Sequence, residues 1–544
     1  MNTKRRLSLG LDLSTQSLSA VLLDIDRREL VFEHTLEYAQ DRRLNRFGIK
    51  KSDYILPPRE HGQADQPPMM YLAALDFMFA DIREAGVSIA ETVVINTSAQ
   101  QHGHVYLNGN APALFTQLHQ PGSEKSNLVK LLGGCFAYSR APIWMTSNTT
   151  RQADFIRLFV GGKRRMIELT GSDSPLRFTG AIIRKIGQDY PDAYRNTDTI
   201  QPLSSFIPAI LVGNVKIPTD FANACGTSLM NYRRKKWSRL LMSAVAENLP
   251  GRAWLLRAKL PAIAAPDSIV GEISQYYVNK YGFRRGCLIV AGSGDNPQSK
   301  VLVDGDLLSL GSSFVNMVAT DGKTMDFNGY ANAMYDGVGR PFMFGCRTNG
   351  TLAWDALRES YGIKKDNYGA AENYLRRTPL AHSLVFWQPR DESFPASSHY
   401  RLTRVSNYKP EPGADYAGLV ETTLTFVYHY SRAFTRTTNE PLFVTGGAGN
   451  SPEITKRVAA IWARPVVRIE TAGAALGAAV AGACAFLRSQ QTDVKVRELS
   501  DSLLKKGAPL FPPLDDIAAF HNPNGFLDKF AAAEAEMTRR HPLK

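Results

Sequence analysis

The sequence holds no C-x-x-C pair, and its five cysteines (Cys135, Cys225, Cys287, Cys346, Cys484) are an odd number. Neither a disulfide framework nor a zinc ribbon is therefore expected, and a reducing, cytoplasmic compartment is. No apolar run reaches the ~20 residues that span a bilayer; the longest uncharged stretch, 471–487, is mostly Ala and Gly and reads as a buried helix. A secretory leader is not expected either, because Asp12 interrupts the apolar residues after Lys4-Arg5-Arg6. Acidic residues are the minority, 51 against 64 basic ones, for a net charge of +13, yet no long block of one sign occurs. The basic residues come as short runs (Lys4-Arg5-Arg6, Arg27-Arg28, Lys163-Arg164-Arg165, Arg233 through Lys236, Arg376-Arg377). Such runs read as solvated faces, so no nucleic-acid or membrane partner is expected.

What is present is ordinary globular material. The 544 residues are 44% hydrophobic and 21% charged, enough for two large domains or three smaller ones at ~100–200 residues each. A small stapled scaffold and wholesale disorder are excluded.

Strand and helix signals alternate along the chain, which makes the class α/β. Residues 7–13 and 18–23 read as two strands joined by the polar turn Ser14-Thr15-Gln16-Ser17. After Pro67-Pro68, Leu72, Leu75, Phe79 and Ile82 mark a helix ending at Gly86, and a strand over 93–97 runs into Gln100-Gln101-His102-Gly103. Near residue 286 the pattern starts again. Residues 287–291 read as a buried strand, Gly292-Ser293-Gly294-Asp295-Asn296 as a turn and Pro297 as a first helical residue. Leu308-Ser309-Leu310-Gly311-Ser312-Ser313 then echoes Leu7-Ser8-Leu9-Gly10 and its following turn, the mark of a duplicated domain. A strand at Leu442–Thr445 leads through Gly446-Gly447-Ala448-Gly449-Asn450 into a helix capped by Ser451, with Ile454, Val458, Ile461 and Trp462 on its buried face. The expected division is 1–280, 281–490 and a polar C-terminal tail, 491–544, of no readable role.

Several segments suit phosphate chemistry. Polyphosphates need close backbone N–H groups and small hydroxyls, and their magnesium needs a carboxylate nearby. Asp12, Ser14, Thr15 and Gln16 offer both, although the same residues make an ordinary polar hairpin turn. Gly311, Ser312 and Ser313 form a second such turn. Gly446 and Gly447 would let a nucleotide lie on bare backbone, or simply serve a tight turn. Asp295 suits a general base acting on a hydroxyl, or a helix cap. His102 and Arg177 are further polar candidates.

The order of these motifs resembles the FGGY carbohydrate kinases of the actin-like ATPase superfamily, most closely the longer, animal-like xylulokinases. The resemblance includes Asp12-Leu13-Ser14-Thr15-Gln16, Gln100-Gln101-His102-Gly103, Pro142-Ile143-Trp144-Met145, Arg177-Phe178-Thr179-Gly180, Gly294-Asp295-Asn296-Pro297, Ser309-Leu310-Gly311-Ser312-Ser313 and Gly446-Gly447-Ala448. It implies two actin-like, ribonuclease H-like ATPase domains flanking a cleft. It also implies ATP-dependent phosphorylation of a ketopentose, D-xylulose first, by a monomer or homodimer. On this resemblance Asp295 is the catalytic base, and His102, Arg177 and Asn296 join it in holding the sugar. Asp12 orients Mg2+, while Ser14, Thr15, Gln16, Gly311, Ser312, Ser313, Gly446 and Gly447, with Asn450 or Ser451, hold the nucleotide. One departure bears on the sugar: Thr146 stands where the family commonly has aspartate. Ribulose, a deoxyxylulose or a polyol as substrate, a non-catalytic sugar sensor, and a chaperone-type ATPase are the rival expectations.

Overall fold

Strand Leu7–Leu13 is buried along its whole length and pairs with two neighbours. Ser17–Asp24 runs antiparallel beside it, with Leu13 opposite Leu18, and Thr92–Ala99 runs parallel, with Leu13 opposite Ala99. The expected hairpin is therefore present, its turn closed by the Ser14 N–H donating to the Ser17 carbonyl at 2.9 Å. The strand Glu29–Glu37 extends the sheet at its edge; largely exposed, it carries too little apolar alternation to be read from sequence. The computed structural model describes residues 5–542 except Asn407, Thr437, Thr471, Ala472 and Asp493, so Lys4 of the first basic run and Thr471 at the start of the Ala/Gly stretch lie outside the described residues.

On the far side of Thr92–Ala99, Leu288–Val290 and then Ser293–Gly294 pair with it in parallel, Gly294 lying opposite Ala99. Leu13, Ala99 and Gly294 thus stand in one row at the carboxyl ends of parallel strands, and the chains that leave them carry Ser14-Thr15, Gln100-Gln101-His102 and Asp295-Asn296. This edge of a parallel sheet is where α/β folds place ligands. The helix after the third strand is Asp295–Val301, so Pro297 is its third residue and not its first. A proline is tolerated there because first-turn N–H groups have no partner within the helix.

Two helices build the core beside this sheet. Pro68–Glu84 buries Leu72, Leu75, Phe79 and Ile82, the expected face. Ala474–Ser489 lies against strand Leu7–Leu13 so closely that a Cβ on Gly10 would sit 1.9 Å from the Ala475 carbonyl oxygen. Ser8 Oγ donates to the Ala479 carbonyl at 2.7 Å and Asn96 Nδ2 to that of Ala478 at 3.1 Å, so even the polar groups of this seam are satisfied.

The chain divides into two compact units: Met1–Leu302 with Met334–Pro341 and Ala472–Leu503, and Val303–Ala333 with Phe342–Thr471 and Leu504–Lys544. This differs from a division at 280/281. The strand signal that restarts near 287 joins the first sheet in parallel, and the Ala/Gly helix returns to that sheet. In the second unit Leu307–Leu310 pairs antiparallel with Phe314–Ala319 across Gly311-Ser312-Ser313, and in parallel with Leu442–Thr445. Strand, polar turn, strand and a parallel neighbour repeat the arrangement around Leu7–Leu13, as the sequence echo implied. Of the stretch expected to be a tail, the helices Leu514–His521 and Phe526–Arg540 bury Phe520, Phe526 and Phe530, and Phe530 stacks on Phe386 with ring centroids 5.7 Å apart.

Candidate active site

In the first unit the three chain segments leaving the sheet edge interlock. Asp295 accepts the Gln101 main-chain N–H at 3.3 Å and the Asn296 N–H at 2.8 Å. Asn296 Nδ2 donates to Gln101 Oε1 at 3.0 Å and to Asp295 Oδ1 at 3.1 Å, which leaves Asn296 Oδ1 as its free acceptor. The approach needs glycine at 294, where a Cβ would lie 2.4 Å from Gln101 Cγ. Burial, and next the charge of Asp12, push the Asp295 carboxyl up to about 7.

Asp12 is buried on strand Leu7–Leu13. Its carboxylate accepts the Ser98 hydroxyl at 2.6 Å and the Ser14 hydroxyl. Burial holds its pKa above the ordinary value, and those two hydroxyls work in the opposite direction. The Thr15 hydroxyl, expected to face a phosphate, is already engaged. It donates to Gln100 Oε1 at 3.1 Å and accepts the Trp144 indole N–H at 2.8 Å. Gln16 at the tip of the turn is exposed.

His102 has a left-handed backbone (φ 66°) and a ring stacked on Phe178, centroids 4.5 Å apart. Burial first, then the nearby Arg177 charge, lower its pKa to about 3, so the ring is neutral. Its Nδ1 lies 2.8 Å from the Gly226 carbonyl, which can only accept. The proton therefore sits on Nδ1 and Nε2 is an acceptor. A Cβ at Gly226 would come within 2.9 Å of that ring. Arg177 is half-buried and, among the described residues, its guanidinium has no hydrogen-bond or ion-pair partner. Asp295, Asn296, His102 and Arg177 thus offer a carboxylate, two acceptors and a donor fork within the same unit as the buried carboxylate of Asp12.

Thr146 is buried and its hydroxyl donates to the Ala64 carbonyl at 2.9 Å, tying the Trp144 loop to the segment before Asp65–Gln66. The residues that sequence reasoning missed are Gln101, which holds Asp295 and Asn296 together, and Ser98 and Gly226. Gln101 stands beside His102 in the motif, a usable signal; Gly226 has none in the sequence.

The second unit carries its own cavity, of about 790 Å3, lined by Gly311, Ser312, Gly447, Asn450 and Ser451 among others. Gly446 has φ 90°, and a Cβ there would lie 2.6 Å from the Leu310 carbonyl oxygen, so both conformation and space demand glycine. The Ser451 hydroxyl accepts the Ile454 N–H at 3.1 Å as a helix cap and donates to Glu372. The Asn450 side chain is exposed and, among the described residues, makes no hydrogen bond. The Ser313 hydroxyl donates to the Thr348 carbonyl at 3.3 Å, whereas that of Ser312 is exposed.

Residues 139–301 match the FGGY family of carbohydrate kinases, N-terminal domain. The chain is 33% identical over 365 residues to the xylulose kinase of Saccharomyces cerevisiae, which covers 66% of this chain and 59% of that protein. It is 34% identical over 313 residues to the xylulose kinase of Rattus norvegicus, covering 57% and 55%. The chain thus spans well under two thirds of both relatives. The crystal structure of the xylulose kinase from Rhodospirillum rubrum superimposes with a TM-score of 0.80 at 15% identity, covering 98% of this chain and 99% of that one, a likeness of fold.

Proposed function

The chain has the fold of the FGGY carbohydrate kinases and carries that family's N-terminal domain in residues 139–301; from this premise we propose that it transfers the γ-phosphoryl group of ATP to the terminal hydroxyl of D-xylulose. The observation that carries the reading is Asp295, a carboxylate raised to about 7 and fixed by Gln101 and Asn296. A group poised near neutrality is a suitable general base.

In this reading Asp295 takes the proton of the terminal hydroxyl as its oxygen attacks the γ-phosphorus. The bond from that phosphorus to the β,γ-bridging oxygen breaks, and its electron pair leaves with ADP. His102 Nε2 and Asn296 Oδ1 accept hydrogen bonds from other sugar hydroxyls, and Arg177 donates to them. Fixed hydrogen-bonding groups favour one hydroxyl pattern over another because each missing bond strands a desolvated partner. The cavity of the second unit is of nucleotide size. Gly311 and Ser312 line it for phosphate, Gly447, beside Gly446, for close backbone approach, and Asn450, whose amide is free among the described residues, for the nucleoside.

The residues fit Mg2+ as it travels with a nucleotide, keeping several waters and needing one or two carboxylates. Asp12 is such a carboxylate, with a lone pair on each oxygen left by its two hydroxyl partners. Magnesium there would neutralise charge developing on the phosphates. The unbridged state of all five cysteines fits the reducing, cytoplasmic setting expected from the sequence; among the described residues no helix is long and apolar enough to cross a membrane.

The test is ADP release measured across D-xylulose, D-ribulose, 1-deoxy-D-xylulose and xylitol. The highest kcat/KM is expected for D-xylulose. Release that ignored sugar, or none with any of the four, would overturn the proposal.

A further inference from the structure

Two basic runs that read from the sequence as separate solvated faces meet in the structure. Lys163-Arg164-Arg165 opens the helix Lys163–Thr170, and Arg234 and Lys236 stand at the turn joining strands Met230–Asn231 and Lys236–Trp237. Arg239 begins the helix Arg239–Ala246. Arg165, Arg234, Lys236 and Arg239 line one cavity of about 670 Å3, with Trp237 and Leu240 supplying apolar wall. None of its lining residues belongs to the site around Asp12, His102 and Asp295.

Three of the four cations in this cavity are uncompensated. Its one carboxylate, Glu168, is occupied by Arg164 at 3.3 Å and Arg165 at 3.2 Å. Among the described residues the side chains of Arg234, Lys236 and Arg239 have no hydrogen-bond or ion-pair partner. Like charges around one concavity repel each other and raise the local concentration of anions.

The turn that presents them is also held in place. The Arg234 N–H donates to Asn231 Oδ1 at 2.9 Å, and the Tyr335 hydroxyl donates to the Tyr232 carbonyl at 3.1 Å. Between the two cavity cations, Lys235 lays its ammonium over the Phe221 ring, 4.0 Å from the centroid. The Trp237 indole N–H donates to the Pro261 carbonyl at 2.7 Å. Anchors on both sides of Arg234 and Lys236 reduce the ordering cost of capturing a ligand.

We propose that this cavity is a second ligand site, which takes a small molecule carrying two or more phosphate groups. The volume lies within the range of small-molecule pockets. Arginine forks match phosphate oxygens in geometry and charge, and the indole and Leu240 leave room for an organic body. The inference stands on the cavity's own residues and does not depend on the kinase reading.

Calorimetric titration of the full chain with inorganic pyrophosphate tests it. The variant Arg234→Gln/Lys236→Gln/Arg239→Gln should lose at least about tenfold in affinity, since it removes the charge-assisted contacts. Arg27→Gln/Arg28→Gln/Arg376→Gln, which removes the same charge elsewhere, should keep it. Equal affinity in wild type and the first variant, an equal loss in both variants, or no binding to wild type would overturn the proposal. In the wild-type protein, pyrophosphate should also slow acetylation of Lys236 several-fold while leaving Lys495 unchanged; no slowing would count against the site. Glucose 1,6-bisphosphate binding more tightly than pyrophosphate would identify a ligand with an organic body, and equal affinity one recognised through its phosphates alone.

Discussion

The charge of Asp12 reaches Asp295: it adds to burial, the larger cause, in pushing Asp295 up to about 7, while Asp12 is itself raised by burial. Burial and that neighbouring charge together bring the proposed base near neutrality.

Asp12→Asn should therefore shift the pH dependence. In the wild-type protein kcat/KM for the sugar should rise with pH through about 7, as Asp295 loses its proton. Without the Asp12 charge that limb should move to lower pH, yet stay above the ordinary carboxylate value because burial remains. Profiles of residual ADP release from pH 5 to 9 measure it, and a stationary limb would mean the two groups are not coupled.

Asp295→Asn should lower turnover by about 10²–10⁴ while D-xylulose affinity largely survives. Its effect on stability has the opposite sign. A carboxylate raised in the folded state favours folding when protonated, and that benefit is lost as pH rises through the raised pKa. The Asn variant should accordingly melt a few °C higher than wild type at pH 8, with a smaller difference at pH 5, because the benefit of the proton is complete only below the ordinary carboxylate value. Thermal melts at the two pH values decide the sign.

Asn450→Ala and Ser451→Ala should separate two roles that the sequence left joined. The free amide of Asn450 makes its loss a loss of ADP affinity at unchanged thermal stability. Ser451 caps a helix and engages Glu372, so its loss should cost about 0.5–2 kcal/mol of stability. Calorimetry with ADP, paired with denaturant melts, distinguishes them.

Thr146→Asp should lower stability and leave sugar preference alone. The buried Thr146 hydroxyl donates to the Ala64 carbonyl, and an ionised carboxylate can only accept, so the variant buries a charge against a carbonyl oxygen. Sugar panels and melts on this variant and on Thr146→Ser, which keeps the donor, would expose a direct sugar contact if one exists.

Much of this architecture was legible because local rules and tertiary packing agree in it. The hairpin at Ser14-Thr15-Gln16, the helix Pro68–Glu84 and the Ser451 cap each follow from alternation, spacing or a capping residue. The domain division did not follow, because parallel pairing of Leu288–Val290 with Thr92–Ala99 is a contact between distant segments with no local signature. The site divides in the same way. Asp295, His102 and Asn296 lie in motifs with recognisable order, but the engagement of Thr15 by Gln100 and Trp144 depends on which side chains meet after folding. The acceptor role of His102 Nε2 likewise depends on a carbonyl more than a hundred positions away, at Gly226.

The seam between strand Leu7–Leu13 and helix Ala474–Ser489 joins segments far apart in the chain, Ser8 and Ala479 being 471 positions apart. On the ribosome the strand emerges long before the helix that covers Ser8 and Gly10, so that face must wait for a partner still untranslated. A fragment ending at residue 302 would keep the residues proposed to bind sugar and still leave that face bare. Supplying residues 472–503 as a separate peptide should restore its solubility, so two co-expressed pieces are a better starting point for dissecting this protein than a simple truncation.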